Sequence, residues 1–131
     1  MEFGLRRARG LDSGVEASKY SYIGGCVGTS NTYAGYKFGV PVMGTMAHSF
    51  VQSFDNEYEA FKAYAQVYPD ACVLLVDTYD TLRSGIPNAI RVAREFLIPN
   101  GYKFKGIRID SGDLAYLSKK ARRMLDEAGF Y

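Results

Sequence analysis

The chain of 131 residues contains one histidine, and its setting suits a reactive group. His48 lies in GTMAHSF, after the apolar run Val40, Pro41, Val42, Met43 and before an aromatic-rich segment. Two other stretches share a pattern of apolar run, Asp, two residues, Asp: VDTYDT with Asp77 and Asp80, and RIDSGD with Asp110 and Asp113. In each, the second Asp suits an N-cap, where a carboxylate accepts from free N–H groups at the positive end of a helix. Asp77 and Asp110 come earlier, at strand tips, where capping explains them less well and chemistry explains them better. Basic groups accompany them in Arg6, Arg7, Arg9 and Arg108. GGCVGTSN and GTMAHS place Gly and Thr, Thr45 among them, beside helix starts whose N–H groups favour an anion. Imidazole titrates near neutrality. Carboxylates accept from sugar hydroxyls or reach Mg²⁺ through water. Together these groups suit a phosphorylated sugar. A Ser-His-Asp hydrolase is a poor fit, because adjacent His48 and Ser49 point apart and no nucleophile elbow is present. Neither a P-loop nor a Rossmann glycine fingerprint occurs.

These groups need strand tips to hold them, and the hydropathy pattern supplies candidates. FGLRR, residues 3–7, reads as a strand end, on which Arg6 and Arg7 face opposite ways, one toward a barrel interior. SGVE, Ser13 to Glu16, has capping-box spacing and predicts a helix to about Ile23. A short helix fits residues 32–38. Val40 to Met43 reads as a buried strand. From His48 to Tyr68 apolar residues recur at helical spacing, which predicts one helix ended by Pro69. CVLLV, Cys72 to Val76, is the clearest buried strand. Pro87 suits a helix first turn, residues 104–109 read as a strand, and Asp113 caps a last helix ended by Gly129. Strands about thirty residues apart, alternating with helices, imply βαβ units and a parallel sheet with functional groups at its carboxyl edge.

Composition narrows the classes further. A net charge of +2 argues against nucleic-acid or membrane partners. No apolar run approaches the ~20 residues of a membrane span, and MEFGLRRARG has no signal-peptide core. Cys26 and Cys72 lack metal-like spacing and read as reduced cytosolic thiols, which places the chain in the cytoplasm.

The ordered motifs EFGLRRARG, ASKYSYIGG, GTSNTYAG, FGVPVMGTMAHSF, LLVDTYDTLRSGIPNAI and GIRIDSGDLAYLSKKAR resemble nicotinate phosphoribosyltransferases across essentially the whole chain. The resemblance implies a reaction joining nicotinate to phosphoribosyl pyrophosphate, coupled to ATP hydrolysis, in NAD biosynthesis. It also implies the irregular α/β barrel of the type II phosphoribosyltransferases, Mg²⁺ as cofactor, ATP as co-substrate and a homodimer. His48 matches the histidine that ATP phosphorylates. Phe3 matches the aromatic that stacks on the pyridine ring, and Arg6 an arginine near the substrate phosphate. Asp110 matches a catalytic carboxylate that binds the ribose hydroxyls, with Ser111 and Gly112 of IDSGD and Thr45 of GTMAHS as further substrate-binding positions. Arg108 matches a basic residue beside the base and phosphoribosyl sites, and Asp77 an acid near ribose and metal. No residue binds metal directly; Mg²⁺ is expected near Asp77 and Asp110 through water. Ser30 and Asn31 in GTSN fall where nicotinamide-using relatives carry an acid. An Asn can donate to the nicotinate carboxylate that an Asp would repel.

A barrel needs eight strands and ~250 residues. About four strand–helix units are counted here. Residues 1–131 are therefore expected to be one partial domain, half a barrel, lacking the N-terminal domain and the later strands. The alternatives are a nicotinamide or quinolinate phosphoribosyltransferase, or a non-catalytic truncated remnant.

Overall fold

A computed structural model describes all residues, Met1–Tyr131. It is a mixed α/β structure that divides into two compact units, Met1–Gly44 and Thr45–Tyr131. None of its helices is long and apolar enough to cross a membrane.

In the first unit, FGLRR is not a strand. Leu5–Arg7 forms a 3₁₀ turn with both arginines exposed, so strand alternation cannot sort Arg6 from Arg7. Only Glu2 pairs in β fashion, in a parallel bridge to Thr29. Helix α1 (Leu11–Ile23) starts after Gly10, one turn earlier than the capping box at Ser13 predicts, and Ser13 lies inside it. Gly10, at φ 98°, turns the chain into the helix in a conformation other residues resist. Helix α2 (Thr32–Phe38) has the predicted bounds, and Asn31 caps it by accepting from the Ala34 N–H. The expected strand at Val40–Met43 shrinks to a single bridge between Thr29 and Val42. Val40 is buried, but Val42 is half exposed, so the run has neither a ladder nor two covered faces.

The second unit holds a two-stranded parallel sheet, β1 (Val73–Leu75) beside β2 (Gly106–Arg108), with Leu75 opposite Arg108. The expected four strand–helix units are thus reduced to two strands with their helices. The long helix predicted from His48 is two: α3 (His48–Gln52) and α4 (Glu57–Val67). Asn56 restarts the chain by accepting from the Glu59 N–H at 3.0 Å. Between the strands run a π-helical turn, Thr81–Gly85, and α5 (Ile86–Val92), which has Pro87 in its first turn as expected. Helix α6 (Leu114–Glu127) follows β2.

Both capping aspartates act as predicted. Asp80 accepts from the Leu82 and Arg83 N–H groups, and Asp113 from Tyr116. The core gathers Phe61 of α4, Leu74 and Leu75 of β1, and Ile86, Val92 and Leu97, all at most 1% exposed. Each contributes about 1.5–3 kcal/mol by leaving water. Cys72 is buried in the same core, and that burial pushes its thiol up to about 11. Gly85 lets the turn after β1 press onto the strand. A Cβ there would lie 1.8 Å from the Val76 carbonyl oxygen.

Candidate active site

The second unit places its chemistry just past the carboxyl ends of β1 and β2. Val76 continues the ladder, its N–H donating to the Arg108 carbonyl at 3.1 Å. Beyond it, Asp77 joins the two strand tips. Its Oδ2 accepts from the Asp110 N–H at 3.0 Å and from the Ser111 hydroxyl at 2.5 Å. The Asp77 side chain is only 2% exposed, and its other oxygen, Oδ1, is buried without a hydrogen bond. Such an orphan is costly in a folded protein and marks a place where another group is needed.

His48, the first residue of α3, supplies the nearest candidate. Its Nε2 lies 3.9 Å from Asp77 Oδ1 and 3.7 Å from Asp110 Oδ2. Its Nδ1 meets the Thr78 hydroxyl at 3.1 Å. One nitrogen therefore faces two carboxylates, and the other faces a hydroxyl. Arg108 completes the group. Its guanidinium donates to the Thr45 hydroxyl at 2.7 Å and pairs with Asp110 Oδ1 at 2.9 Å. Gly112, at φ 80°, turns the chain from Ser111 toward the Asp113 cap. His48, Asp110 and Arg108 remain 37%, 31% and 23% exposed, so solutes can reach this network.

The structure thus brings together six predicted residues: Thr45, His48, Asp77, Arg108, Asp110 and Ser111. Thr78 was missed. Its signal was its place directly after Asp77 in VDTYDT, just past the same strand tip.

Apart from Gly112, the remaining predicted residues lie in the first unit. Phe3 is 40% exposed and follows Glu2 directly. Arg6 is exposed on the 3₁₀ turn. The Ser30 N–H donates to the Glu2 carbonyl at 3.0 Å. Asn31 is 3% exposed and largely occupied by structure: Oδ1 caps α2, and Nδ2 donates to the Ser18 hydroxyl at 3.2 Å. Sequence reasoning also missed Glu2, whose carboxylate accepts from the Gly4 N–H and from the Thr29 and Ser18 hydroxyls. Burial pushes its pKa upward, but the hydrogen bonds from Thr29, Gly4 and Ser18 outweigh it and hold the carboxyl below the usual glutamate range.

A family model for nicotinate phosphoribosyltransferases matches residues 1–127. The chain belongs to this family. It is 60% identical over 130 residues to the nicotinate phosphoribosyltransferase of Bacillus subtilis, covering 99% of this chain and 26% of that one. The Dictyostelium discoideum nicotinate phosphoribosyltransferase is 42% identical over 167 residues, covering 98% of this chain and 28% of its own. The crystal structure of human nicotinic acid phosphoribosyltransferase superimposes with a TM-score of 0.86 at 36% identity, covering 98% of this chain and 35% of the human one. The chain therefore spans about a quarter to a third of these nicotinate phosphoribosyltransferases.

Proposed function

We propose that the chain is an internal segment of a nicotinate phosphoribosyltransferase, part of an irregular α/β barrel in a homodimeric enzyme. The enzyme transfers phosphoribosyl from phosphoribosyl pyrophosphate to nicotinate: the pyridine nitrogen forms a bond to the ribose C1 as the C1–oxygen bond to pyrophosphate breaks. The observation that carries this reading is His48 between Thr78 and the Asp77–Asp110 pair, at the tips of two parallel strands.

The surroundings of the imidazole support one course for its chemistry. With the Thr78 hydroxyl donating to Nδ1, the proton resides on Nε2, facing the two carboxylates. Nδ1 then carries the ring's lone pair, which attacks the γ-phosphorus of ATP once the Thr78 hydroxyl gives it up. A nitrogen–phosphorus bond forms, the bond to the bridging oxygen breaks, and ADP leaves. Positive charge developing on the ring is stabilised by Asp77 and Asp110 at Nε2, as a carboxylate stabilises imidazolium in catalytic triads. Attack through Nε2 is disfavoured, because it would set phosphate oxygens against two carboxylates. Water later takes the phosphoryl group from the histidine and releases phosphate.

No cluster of three or more His, Cys, Asp or Glu has metal-holding geometry. Mg²⁺ keeps most of its waters and takes hard oxygen donors, so Asp77 Oδ1, which accepts no hydrogen bond, and the accessible Asp110 suit an ion held through water. When bound there, Mg²⁺ neutralises phosphate charge. Arg108 adds positive charge beside Asp110. In the first unit, Phe3 offers a ring face for the pyridine. Asn31, whose Oδ1 is committed to the cap, has only donor capacity left on Nδ2, which favours a carboxylate over an amide that needs an acceptor.

The test uses the full-length polypeptide carrying this segment. Incubation with ATP should add one phosphate by mass spectrometry, and His48→Ala should abolish it; a phosphate retained by His48→Ala would refute the assignment. In a competition assay the enzyme should consume nicotinate in preference to nicotinamide.

A further inference from the structure

We infer that Glu2 is a positioning residue for pyridine-base selection, resting on the assignment of Phe3 and Asn31 to the base. Its hydrogen bonds reach the residues that flank both. On one side, the carboxylate accepts from the Gly4 N–H, closing a loop over the intervening Phe3 backbone. The Glu2 backbone is held as well, with its N–H donating to the Gly28 carbonyl at 2.9 Å and its carbonyl accepting from the Ser30 N–H at 3.0 Å. Phe3 is thus anchored from both neighbours.

On the other side, Glu2 Oε2 receives the Thr29 hydroxyl at 2.5 Å and the Ser18 hydroxyl at 3.0 Å. Ionised carboxylate oxygens only accept. The Thr29 hydroxyl must therefore spend its proton on Glu2, and its oxygen accepts from the Asn31 N–H at 3.0 Å. Ser18 has two acceptors in reach, Glu2 and the Gly14 carbonyl at 2.8 Å. Whichever takes its proton, the Ser18 oxygen is left to accept from Asn31 Nδ2. The Thr29 hydroxyl thus passes the carboxylate's acceptor character on to the Asn31 backbone, and the Ser18 oxygen stands between Glu2 and the Asn31 amide. The Asn31 backbone is held by an oxygen that Glu2 orders, and its amide by one that Glu2 touches. One charged group fixes the spacing between the ring that stacks and the amide that selects.

Glu2→Gln keeps the size and removes one acceptor, since the amide nitrogen can only donate. One of Gly4, Thr29 or Ser18 must lose its partner. In the full-length enzyme, the KM for nicotinate should rise about tenfold, the scale of one charge-assisted hydrogen bond. The kcat and the KM for phosphoribosyl pyrophosphate should stay within about twofold. Hydrogen exchange should accelerate in peptides covering residues 2–8 and 28–35 and not in those covering 72–80. Glu2→Asp, which keeps the charge, should recover part of the nicotinate KM. Three results would overturn the inference: an unchanged nicotinate KM in an active enzyme, a loss spread equally over kcat and both KM values, or exchange that accelerates throughout the protein. If the wild-type enzyme does not use nicotinate, the proposed function fails, and the exchange pattern alone then decides whether Glu2 orders these two segments.

Discussion

Gly85→Ala sets two physical effects against each other. Gly85 has helical dihedrals, φ −57° and ψ −57°, at the junction of the π turn and α5. Helix propensity alone makes alanine better there by about 1 kcal/mol. Packing says the opposite. The new Cβ would lie 1.8 Å from the Val76 oxygen, 2.6 Å from its carbonyl carbon and 2.8 Å from its Cα. These are backbone atoms with no rotamer to yield. A tolerable carbon–oxygen contact is about 3.3 Å, so the strand end and the turn must separate by roughly 1.5 Å. Overpacking usually costs about 1–3 kcal/mol, and a clash with backbone belongs at the upper end. The net expectation is a loss of about 2 kcal/mol, after propensity is subtracted. Val76 also donates to Arg108 at 3.1 Å and precedes Asp77, whose bond from Asp110 is 3.0 Å. A shift of an ångström takes both past useful hydrogen-bond length. Urea denaturation of the full-length enzyme should therefore show a lower midpoint, and turnover should fall with it. A Gly85→Ala enzyme as stable as wild type, with full turnover, would show that the close approach is not what holds β1 to the following turn.

Three other outcomes are expected. Asp77→Asn can keep the one oxygen that already serves the Asp110 N–H and the Ser111 hydroxyl, but it removes the negative charge and turns an N–H₂ group toward His48 in place of Oδ1, so phosphorylation of His48 should slow about a hundredfold or more, measured by single-turnover labelling with ATP. Cys72, buried with its thiol raised to about 11, should resist a thiol reagent at pH 8 in the folded enzyme and react promptly in urea, whereas the half-buried Cys26 should label first. Because the folded pKa of Glu2 is depressed, its stabilising contribution is fully present above the unfolded glutamate range and is lost as pH falls through the folded value. The stability gap between wild type and Glu2→Gln should therefore narrow on acidification, and a gap independent of pH down to 3 would contradict the depressed pKa.

How much of this could be read beforehand depended on where the information lies. CVLLV announced a strand because every residue from Cys72 to Val76 is apolar, and the structure buries all of them but Val73. Asp80 and Asp113 announced caps because capping is a local bargain between a side chain and the next turn. Val40–Met43 looked similar but lacks a ladder partner, and a strand exists only through its neighbours. The break between α3 and α4 was overlooked although Asn56 and Glu59 stand at capping distance, because the aromatic periodicity runs straight across it. FGLRR misled because five residues are too few for alternation to outweigh a tight turn. At the site, residue types pointed to His48, Asp77 and Asp110. The contributions of Thr78 and Glu2 reside in hydrogen bonds across 30 and 27 positions, which no local pattern records.

On the proposed reading, the Asp77 link between strand tips makes sheet alignment and reactivity one property. Leu75 stands opposite Arg108, and two residues further along each strand Asp77 reaches the Asp110 N–H. Sliding β2 by one residue would reverse which face each side chain occupies. Asp110 would leave His48, and Arg108 would leave Thr45, in the same movement. On the proposed reading a misregistered molecule would be silent rather than wrongly active: the histidine would keep Thr78 and Asp77 from the β1 side but gain Asp110 only in chains whose strands have been aligned correctly.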